Sequence, residues 1–142
     1  MNEKYRSGCP VSLGLDIFGD KWTLLIVRDL MFGGKRHYRE MLHSDEHISS
    51  NILADRLKML LEEEIITKTE DPSHMQKVVY SLTEKGIALL PILMQMSHWS
   101  YKYRPVGEQF VPTTALSAQD EFSTWDNWME KLRKVHLVQP NS

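Results

Sequence analysis

The sulfur of Cys9 is the most reactive group in the sequence, and Cys9 is the only cysteine among 142 residues. Reaction at sulfur needs thiolate character and access to solvent. The stretch "CPVSLG" predicts a helix that begins just after Cys9, and the dipole of that helix would lower the pKa of the thiol. A single cysteine per chain can form a disulfide only with another molecule. The alternative is a small buried residue in an N-terminal arm.

Two histidines, His43 and His47, stand four positions apart, a spacing that suits a metal ion when both lie on one helix. A turn is predicted between them, and no cysteine or carboxylate set completes the site. The sequence also lacks a nucleophile–base arrangement, a phosphate-binding loop and a paired-carboxylate motif. We therefore expect no metal centre, no cofactor and no enzymatic activity.

The segment 48–61 reads "ISSNILADRLKMLL" and predicts an amphipathic helix with a polar N-terminal end. Ser49 or Ser50 can cap its free backbone N–H groups. The leucines recur at helical spacing, which is typical of a face packed on a core. These leucines are Leu53, Leu57, Leu60 and Leu61. The opposite side carries Asn51, Asp55, Lys58 and Glu62, with Arg56 on the flank.

Such a helix could enter the major groove of DNA, where the side chains of its first turns lie nearest the base edges. Asn51 can form a bidentate pair with adenine, and the two serines can bond a phosphate or a base. Arg56 and Lys58 can neutralise phosphates, which supply most of the affinity. The alternative is a solvated helix face without a partner.

Two further groups of side chains could hold the DNA backbone. One is a basic cluster over residues 35–39, and the other lies near the tip of a predicted hairpin, which could follow the backbone or enter the minor groove. Each of these residues could equally be an ordinary surface charge. With the helix, they complete the predicted DNA-binding set: Lys35, Arg36, Tyr38, Arg39, Ser49, Ser50, Asn51, Asp55, Arg56, Lys58, His74, Gln76 and Lys77.

The overall composition allows one domain with a real core, because 42% of the residues are hydrophobic and 25% are charged. No apolar run reaches the roughly 18 residues of a membrane span, and the N-terminus lacks the apolar region of a signal peptide. With a single cysteine, these features predict a cytoplasmic protein. The net charge of −2 gives no basic signature of nucleic-acid binding. A protein-interaction module without DNA binding therefore remains the alternative function.

The periodicity of the chain predicts an order of elements. Residues 11–32 are helical with an interruption at Gly19 and a cap at Asp20. "IITKTE" and "KVVYSL" have strand composition around the turn "DPSHMQ". The remaining predicted elements are a short helix in 36–44, the helix in 48–61, a helix over 83–103 capped by Thr83 and bent by Pro91, a linker over 105–118 and a helix over 119–136.

Three short helices followed by a hairpin predict a winged helix-turn-helix. The fold class is therefore α+β and mostly helical, with a two-stranded β wing and flanking dimerisation helices. We divide the chain into a DNA-binding domain at 1–104, a linker at 105–118 and a C-terminal helical extension at 119–142.

Five stretches resemble the HxlR-type transcriptional regulators, which are winged-helix proteins of the MarR-like group. They are "CPV" at 9–11, "GDKWTLLIVRDL" at 19–30, "ISSNILADRLKML" at 48–60, "VVYSLTEKG" at 78–86 and the helix that ends near Trp99. They occur in the family's order over roughly residues 9–104. Three departures stand out. Glu64 replaces a glycine that often precedes the first wing strand, the usual basic character of the family is muted, and residues 105–142 extend beyond the usual end.

The resemblance implies a sequence-specific regulator that binds double-stranded DNA. In several HxlR-like proteins a cysteine at the place of Cys9, followed by proline, senses oxidants or electrophiles. Oxidation there could link subunits or change the angle between them. An electrophile or another small molecule is the effector that this resemblance implies.

The two C-terminal helical segments carry more aromatic surface than one small domain needs. Their aromatic residues suit interface anchors of a two-fold dimer, which would place two recognition helices one DNA turn apart on a palindrome. Packing of the C-terminal helix onto its own core is the alternative. The residues in question are Trp99, Tyr101, Tyr103, Trp125 and Trp128.

Overall fold

The computed structural model describes residues 4–70, 77–110 and 118–137, with the side chains of the last segment described from residue 125 onward. The described residues form mainly helices and one antiparallel pair of strands, which confirms the predicted winged helix-turn-helix class. The elements are α1 (Pro10–Phe18), α2 (Thr23–Met31), α3 (Tyr38–Leu42), α4 (Ser50–Glu62), β1 (Ile66–Glu70), β2 (Val78–Leu82), α5 (Glu84–Ile87), α6 (Leu90–Tyr103), a short 3₁₀ turn (Glu108–Phe110) and α7 (Ala118–His136).

The interruption predicted at Gly19 separates two helices of different burial. Within α1, which is fully described, no residue is buried, whereas most of α2 lies in the core. Asp20 stabilises the start of α2, because its Oδ2 accepts hydrogen bonds from the backbone N–H groups of Trp22 at 2.9 Å and Thr23 at 3.1 Å. This confirms the predicted cap. The turn between α1 and α2 is therefore fixed to the start of α2 by the hydrogen bonds of Asp20.

The end of α4 is a Schellman motif that turns the chain into the wing. The N–H of Ile65 donates to the carbonyl of Leu60 at 3.0 Å, and the N–H of Glu64 donates to that of Leu61 at 3.1 Å. Leu60 and Ile65 are both buried, as this motif favours. Glu64 has φ of 59°, a left-handed conformation that glycine adopts most easily. The side chain that departs from the family pattern therefore sits at the position where glycine is preferred.

The wing pairs β1 with β2 in antiparallel register from Ile66↔Leu82 to Glu70↔Val78. This confirms the predicted hairpin, while its tip at residues 71–76 lies outside the described part of the chain. The outer edge of β2 is partly covered, because the N–H of Tyr80 donates to the carbonyl of Arg36 at 2.8 Å. The segment between α2 and α3 thus lies beside β2 and is joined to it by this backbone hydrogen bond.

The predicted helix over 83–103 is two helices, so the expectation of one helix bent at Pro91 is wrong. Thr83 caps α5 as predicted, accepting a hydrogen bond from the N–H of Gly86 at 3.1 Å. The chain then breaks after Ile87, and Pro91 lies in the first turn of α6, where a missing N–H costs nothing. A Cβ on Gly86 would lie 2.3 Å from the carbonyl oxygen of Ile65, so glycine permits the close approach of α5 to the wing.

The C-terminal helix α7 packs against α5, α6 and β2 of its own chain. Trp125 and Leu132 are buried, whereas Val135 is 54% exposed. His136 is buried instead. Along an α-helix, a step of four residues from Leu132 returns a side chain closer to the inner face than a step of three does.

The hydrophobic core is continuous across the helix-turn-helix, the base of the wing and the C-terminal helices. Its centre consists of Val27, Leu30, Met41, Leu53, Leu57, Leu60, Ile65, Ile66, Leu82, Ile87 and Leu90. Across the described residues, no helix is both long enough and apolar enough to cross a membrane.

Candidate nucleic-acid interface

The first turns of α4 present polar side chains to solvent over a buried leucine face. Ser50, Asn51 and Lys58 are exposed, while Leu53 and Leu57 on the opposite side are almost completely buried. Ser49 is the N-cap, and its Oγ accepts a hydrogen bond from the N–H of Ile52 at 3.2 Å, as predicted. The helix is therefore held from behind, and its N-terminal end has free hydrogen-bonding groups.

The short helix α3 supports this end of α4. The hydroxyl of Tyr38 donates a hydrogen bond to the carbonyl of Ser50 at 2.9 Å, so this predicted DNA contact already has a partner within the chain. Arg39 is exposed on the same helix. The structure therefore brings Tyr38, Ser50 and Asn51 together.

Two predicted cations of the 35–39 cluster form hydrogen bonds within the chain. Lys35 Nζ donates to Ser44 Oγ at 3.0 Å. The Arg36 guanidinium is partly buried, with Nε donating to the carbonyl of Tyr80 at 3.1 Å and Nη2 donating to Ser81 Oγ. Burial lowers the pKa of Arg36 from its ordinary value. The Arg36 side chain therefore joins the helix-turn-helix to the wing.

Arg56 links α4 to the start of α2. Its Nε donates to Asp20 Oδ2 at 3.0 Å, and its Nη1 donates to the neighbouring carboxylate of Asp55. The hydrogen bond from the Thr23 hydroxyl, that from Arg56 and those from two backbone N–H groups outweigh desolvation and lower the pKa of Asp20 to about 2. Asp20 is thus ionised at neutral pH, and Arg56 is held beside it. Sequence alone could not show this pair, whose members are 36 positions apart.

A buried carboxylate that we did not predict fixes the turn between α3 and α4. Asp29 is 5% exposed and accepts hydrogen bonds from the hydroxyl of Ser44 and the guanidinium of Arg28. Arg28 also forms a bidentate pair with Glu46, at 2.6 and 2.8 Å. The signal in the sequence is the charged pair inside the apolar run "WTLLIVRDLMF".

The wing contributes Lys77, which is exposed beside the start of β2. Lys68 is exposed on β1. The predicted contacts His74 and Gln76 lie in the part of the wing that is not described. Polar side chains are therefore exposed both on the wing and at the start of α4.

Cys9 occupies the N-cap of α1 and is exposed. The nearby backbone N–H groups of Ser12 and Val11 favour the thiolate and lower the pKa of the Cys9 thiol. The predicted helix start is therefore correct, and the thiol is accessible to solvent with a pKa shifted toward the thiolate form. An open cleft of about 590 Å³ lies between the N-terminal arm and α1, with Tyr5, Gly8, Leu13 and Ile17 among its walls, but Cys9 does not line it.

The two candidate metal ligands are separated as the predicted turn requires. His43 is the C-cap of α3, and His47 has a left-handed φ of 59° in the turn before α4. Among the residues described, no cluster of three or more His, Cys, Asp or Glu side chains is arranged to hold a metal ion.

Known proteins resemble the chain in both sequence and structure. The transcriptional regulator YodB of Bacillus subtilis is 36% identical over 101 residues, which cover 70% of this chain and 89% of YodB. The structure of reduced YodB superposes with a TM-score of 0.57 at 33% identity, covering 72% of this chain and all of that one. The oxidised form of the redox regulator HypR gives 0.60 at 33% identity, covering 69% of this chain and all of HypR.

A quinone-bound structure of YodB from B. subtilis is also similar, with a TM-score of 0.55 at 31% identity over 67% of this chain and all of that one. The family model described as HxlR-like helix-turn-helix matches residues 17–108. The curated relatives of this chain include helix-turn-helix transcriptional regulators, which agrees with the expectation that the chain is not an enzyme. Because the match covers more than half of the chain, this protein belongs to the HxlR-like helix-turn-helix family.

Proposed function

We propose that the protein is a homodimeric transcriptional regulator that binds a palindromic operator through α4 and the wing. The observation that carries this proposal is the exposed polar start of α4 over a buried leucine face. A helix held in this way can enter the major groove without losing contacts to its own core.

The predicted contact residues divide into three roles in this proposal. Ser50 and Asn51 lie at the end of α4 that reaches base edges, and Lys58, Arg39 and Lys77 are exposed cations available to phosphates. His74 and Gln76 stay predicted wing contacts. The other members stabilise the structure of the interface, since the side chain of each already has a hydrogen-bond partner within the chain. They are Lys35, Arg36, Tyr38, Ser49, Asp55 and Arg56.

A second copy of the chain is the occupant we propose for an apolar face on α6. Ile92, Met96, Trp99 and Tyr103 are between 47% and 62% exposed and recur at intervals of four, three and four residues. This spacing forms the seam along which two helices pack. Val11 and Leu15 are 70% and 52% exposed on α1, where no residue is buried. In a two-fold dimer, the exposed apolar residues of α6 and those of α1 would both be covered by the second copy.

We further propose that Cys9 makes the regulator responsive to oxidants or electrophiles. The support is its exposure and lowered pKa, together with the similarity to redox regulator HypR and to YodB, which has been seen with bound quinone. With an oxidant, two Cys9 thiols from two chains would lose two protons and two electrons and form one intermolecular disulfide. With a quinone, the Cys9 thiolate would form a C–S bond to a ring carbon while the electron pair of the C=C bond moves to a carbonyl oxygen. That oxygen would take a proton from solvent, and the proton of the attacked carbon would move to the other oxygen, which leaves a thioether-linked hydroquinone.

The net charge of −2 favours one competing function, a winged-helix module that binds only proteins. A salt titration separates the two functions. The purified protein is titrated against duplexes selected from a random pool, and the dissociation constant is measured between roughly 50 and 200 mM salt. A regulator that contacts several phosphates should lose affinity steeply, by at least about a hundredfold. Failure to select any duplex would support the interaction module.

A further inference from the structure

We infer that His136, at the end of α7, is a positioning residue that sets the angle of the wing through the backbone amide of Leu82. This inference rests on the proposed function, because the wing matters only if it contacts DNA. The extension that carries His136 lies beyond residues 17–108, the part of the chain that the family model matches.

The outer edge of β2 has two backbone donors that β1 does not satisfy. Tyr80 and Leu82 are two positions apart, so their N–H groups point to the same side of the strand. The carbonyl of Arg36 accepts from Tyr80, and Nδ1 of His136 accepts from Leu82 at 3.0 Å. Leu82 has no exposed surface, so its N–H could not bond to water instead. The wing is therefore tied to the C-terminal helix by a bond that has no solvent substitute.

The second ring nitrogen of His136 ties the same imidazole to the helix-turn-helix. Nε2 lies 3.2 Å from the carbonyl oxygen of Leu30, near the end of α2. Nδ1 must accept, so the neutral tautomer with a proton on Nε2 satisfies both contacts. Burial and the nearby charge of Arg36 lower the pKa of His136 to about 4, which keeps this form at neutral pH. The imidazole thus fixes the distance between α2 and the base of β2.

The position of the imidazole is fixed in turn by the packing of α7. Trp125 and Leu132 are buried on the face that ends with His136. One turn before the end, Nε of Arg133 donates to a carboxylate oxygen of Glu84 at 2.5 Å, which joins α7 to α5. The ring therefore approaches β2 at a set angle rather than from a loose tail.

A small change at the base of the wing would become a large one at Lys77. Five residues of strand between Leu82 and Lys77 span about 16 Å. A tilt of roughly 10° at the base would move Lys77 by about 3 Å, which is enough to break a hydrogen bond to a phosphate. His136 therefore controls a contact that it does not itself make.

Amide hydrogen exchange on the full chain tests the placement directly. His136→Phe keeps a ring but removes the acceptor, so the Leu82 amide should exchange about tenfold faster than in the wild type. His136→Gln restores an acceptor and a donor and should restore protection. Val135→Ala, one position away on the exposed side, is the matched control. An unchanged Leu82 amide in His136→Phe, or equal acceleration of amides throughout α2 and α4, would overturn the inference.

Binding to the selected duplex tests the consequence. His136→Phe should weaken binding about as much as Lys77→Ala and lower the salt dependence by about one phosphate contact. The double variant should be no weaker than either single variant, because both remove the same contact. Additive losses would overturn the inference. If the wild type binds no duplex, the proposed function fails, while the exchange of Leu82 still decides whether His136 holds the wing.

Discussion

At the scale of single residues, Asn51 and Lys77 are both exposed, but their chemistry suits different parts of a duplex. A carboxamide can both donate to and accept from a base edge, whereas an ammonium group binds phosphates of any sequence. Discrimination between operators and general affinity should therefore be separable by mutation.

Asn51→Ala should reduce the preference for the best duplex over its single-base variants, with a loss of about 1–3 kcal/mol at one position. Lys77→Ala should weaken all duplexes alike and lower the salt slope by about one. Both effects are measured by fluorescence anisotropy on a panel of operator variants. Indistinguishable profiles for the two variants would mean that these roles are wrongly assigned.

Cys9→Ser should bind the selected duplex as the wild type does in reducing buffer, because the thiol lies at the start of α1 and not on α4. After treatment with diamide, the wild type should change its affinity and show a disulfide-linked dimer on a non-reducing gel. The serine variant should show neither change. Since the chain has a single cysteine, an oxidant response that persists in Cys9→Ser would exclude thiol sensing.

For the predicted contact residues, the sequence could predict exposure to solvent only where it follows from the residue's position on a helix. The exposed face of Asn51 and Lys58 follows from helical periodicity. Arg36 and Arg56 looked the same as these residues in the sequence. Their partners, Ser81 and Asp20, are distant in the chain, and no local pattern reports such a pair.

At the scale of elements, the turn from α4 into β1 contains a strained residue. Glu64 adopts φ of 59° at the position of a Schellman motif where glycine is favoured. The strain of a non-glycine residue there costs about 1 kcal/mol, and the exposed side chain has no resolved role in the fold.

Glu64→Gly should therefore raise the free energy of unfolding by roughly 0.5–1 kcal/mol, measured by urea denaturation. Glu62→Gly is the matched control. Glu62 is an exposed residue in the last turn of α4, where glycine should destabilise the helix instead. A loss of stability in Glu64→Gly would show that the left-handed conformation carries no strain.

The capped helices and the strands of the wing could be predicted from the sequence, but the break within residues 83–103 could not. The serine and threonine caps of α4 and α5 and the strand composition of the wing locate those elements correctly. Residues 83–103 keep an apolar period across the break after Ile87, so the pattern could not distinguish a bend from two helices. The chain forms two helices because α5 packs against Ile65, a tertiary contact that Gly86 permits.

At the scale of the whole molecule, the aromatic residues of the C-terminal half divide between the chain's own core and solvent. Trp125 is buried in the chain, and Trp128 packs edge-on against Phe32 with ring centroids 5.5 Å apart. Trp99 and Tyr103 remain exposed on α6. Intrachain packing thus accounts for α7, whereas the face of α6 is the proposed dimer contact.

Trp99→Asp should convert the protein to a monomer, measured by light scattering during gel filtration. A central aromatic anchor contributes at least about 2 kcal/mol, so dimerisation should weaken by roughly thirtyfold or more. Val135→Asp places the same charge on an exposed apolar position of α7 and should leave the dimer intact. A Trp99→Asp variant that stays dimeric would place the interface elsewhere.

Footprinting of the dimer on its selected duplex tests the central claim most directly. Two copies of α4 related by a two-fold axis should protect two half-sites of an inverted repeat, with centres about 10 base pairs apart, and Asn51→Ala should weaken the protection of both. A single asymmetric protected site, or a pattern that Asn51→Ala leaves unchanged, would contradict the account.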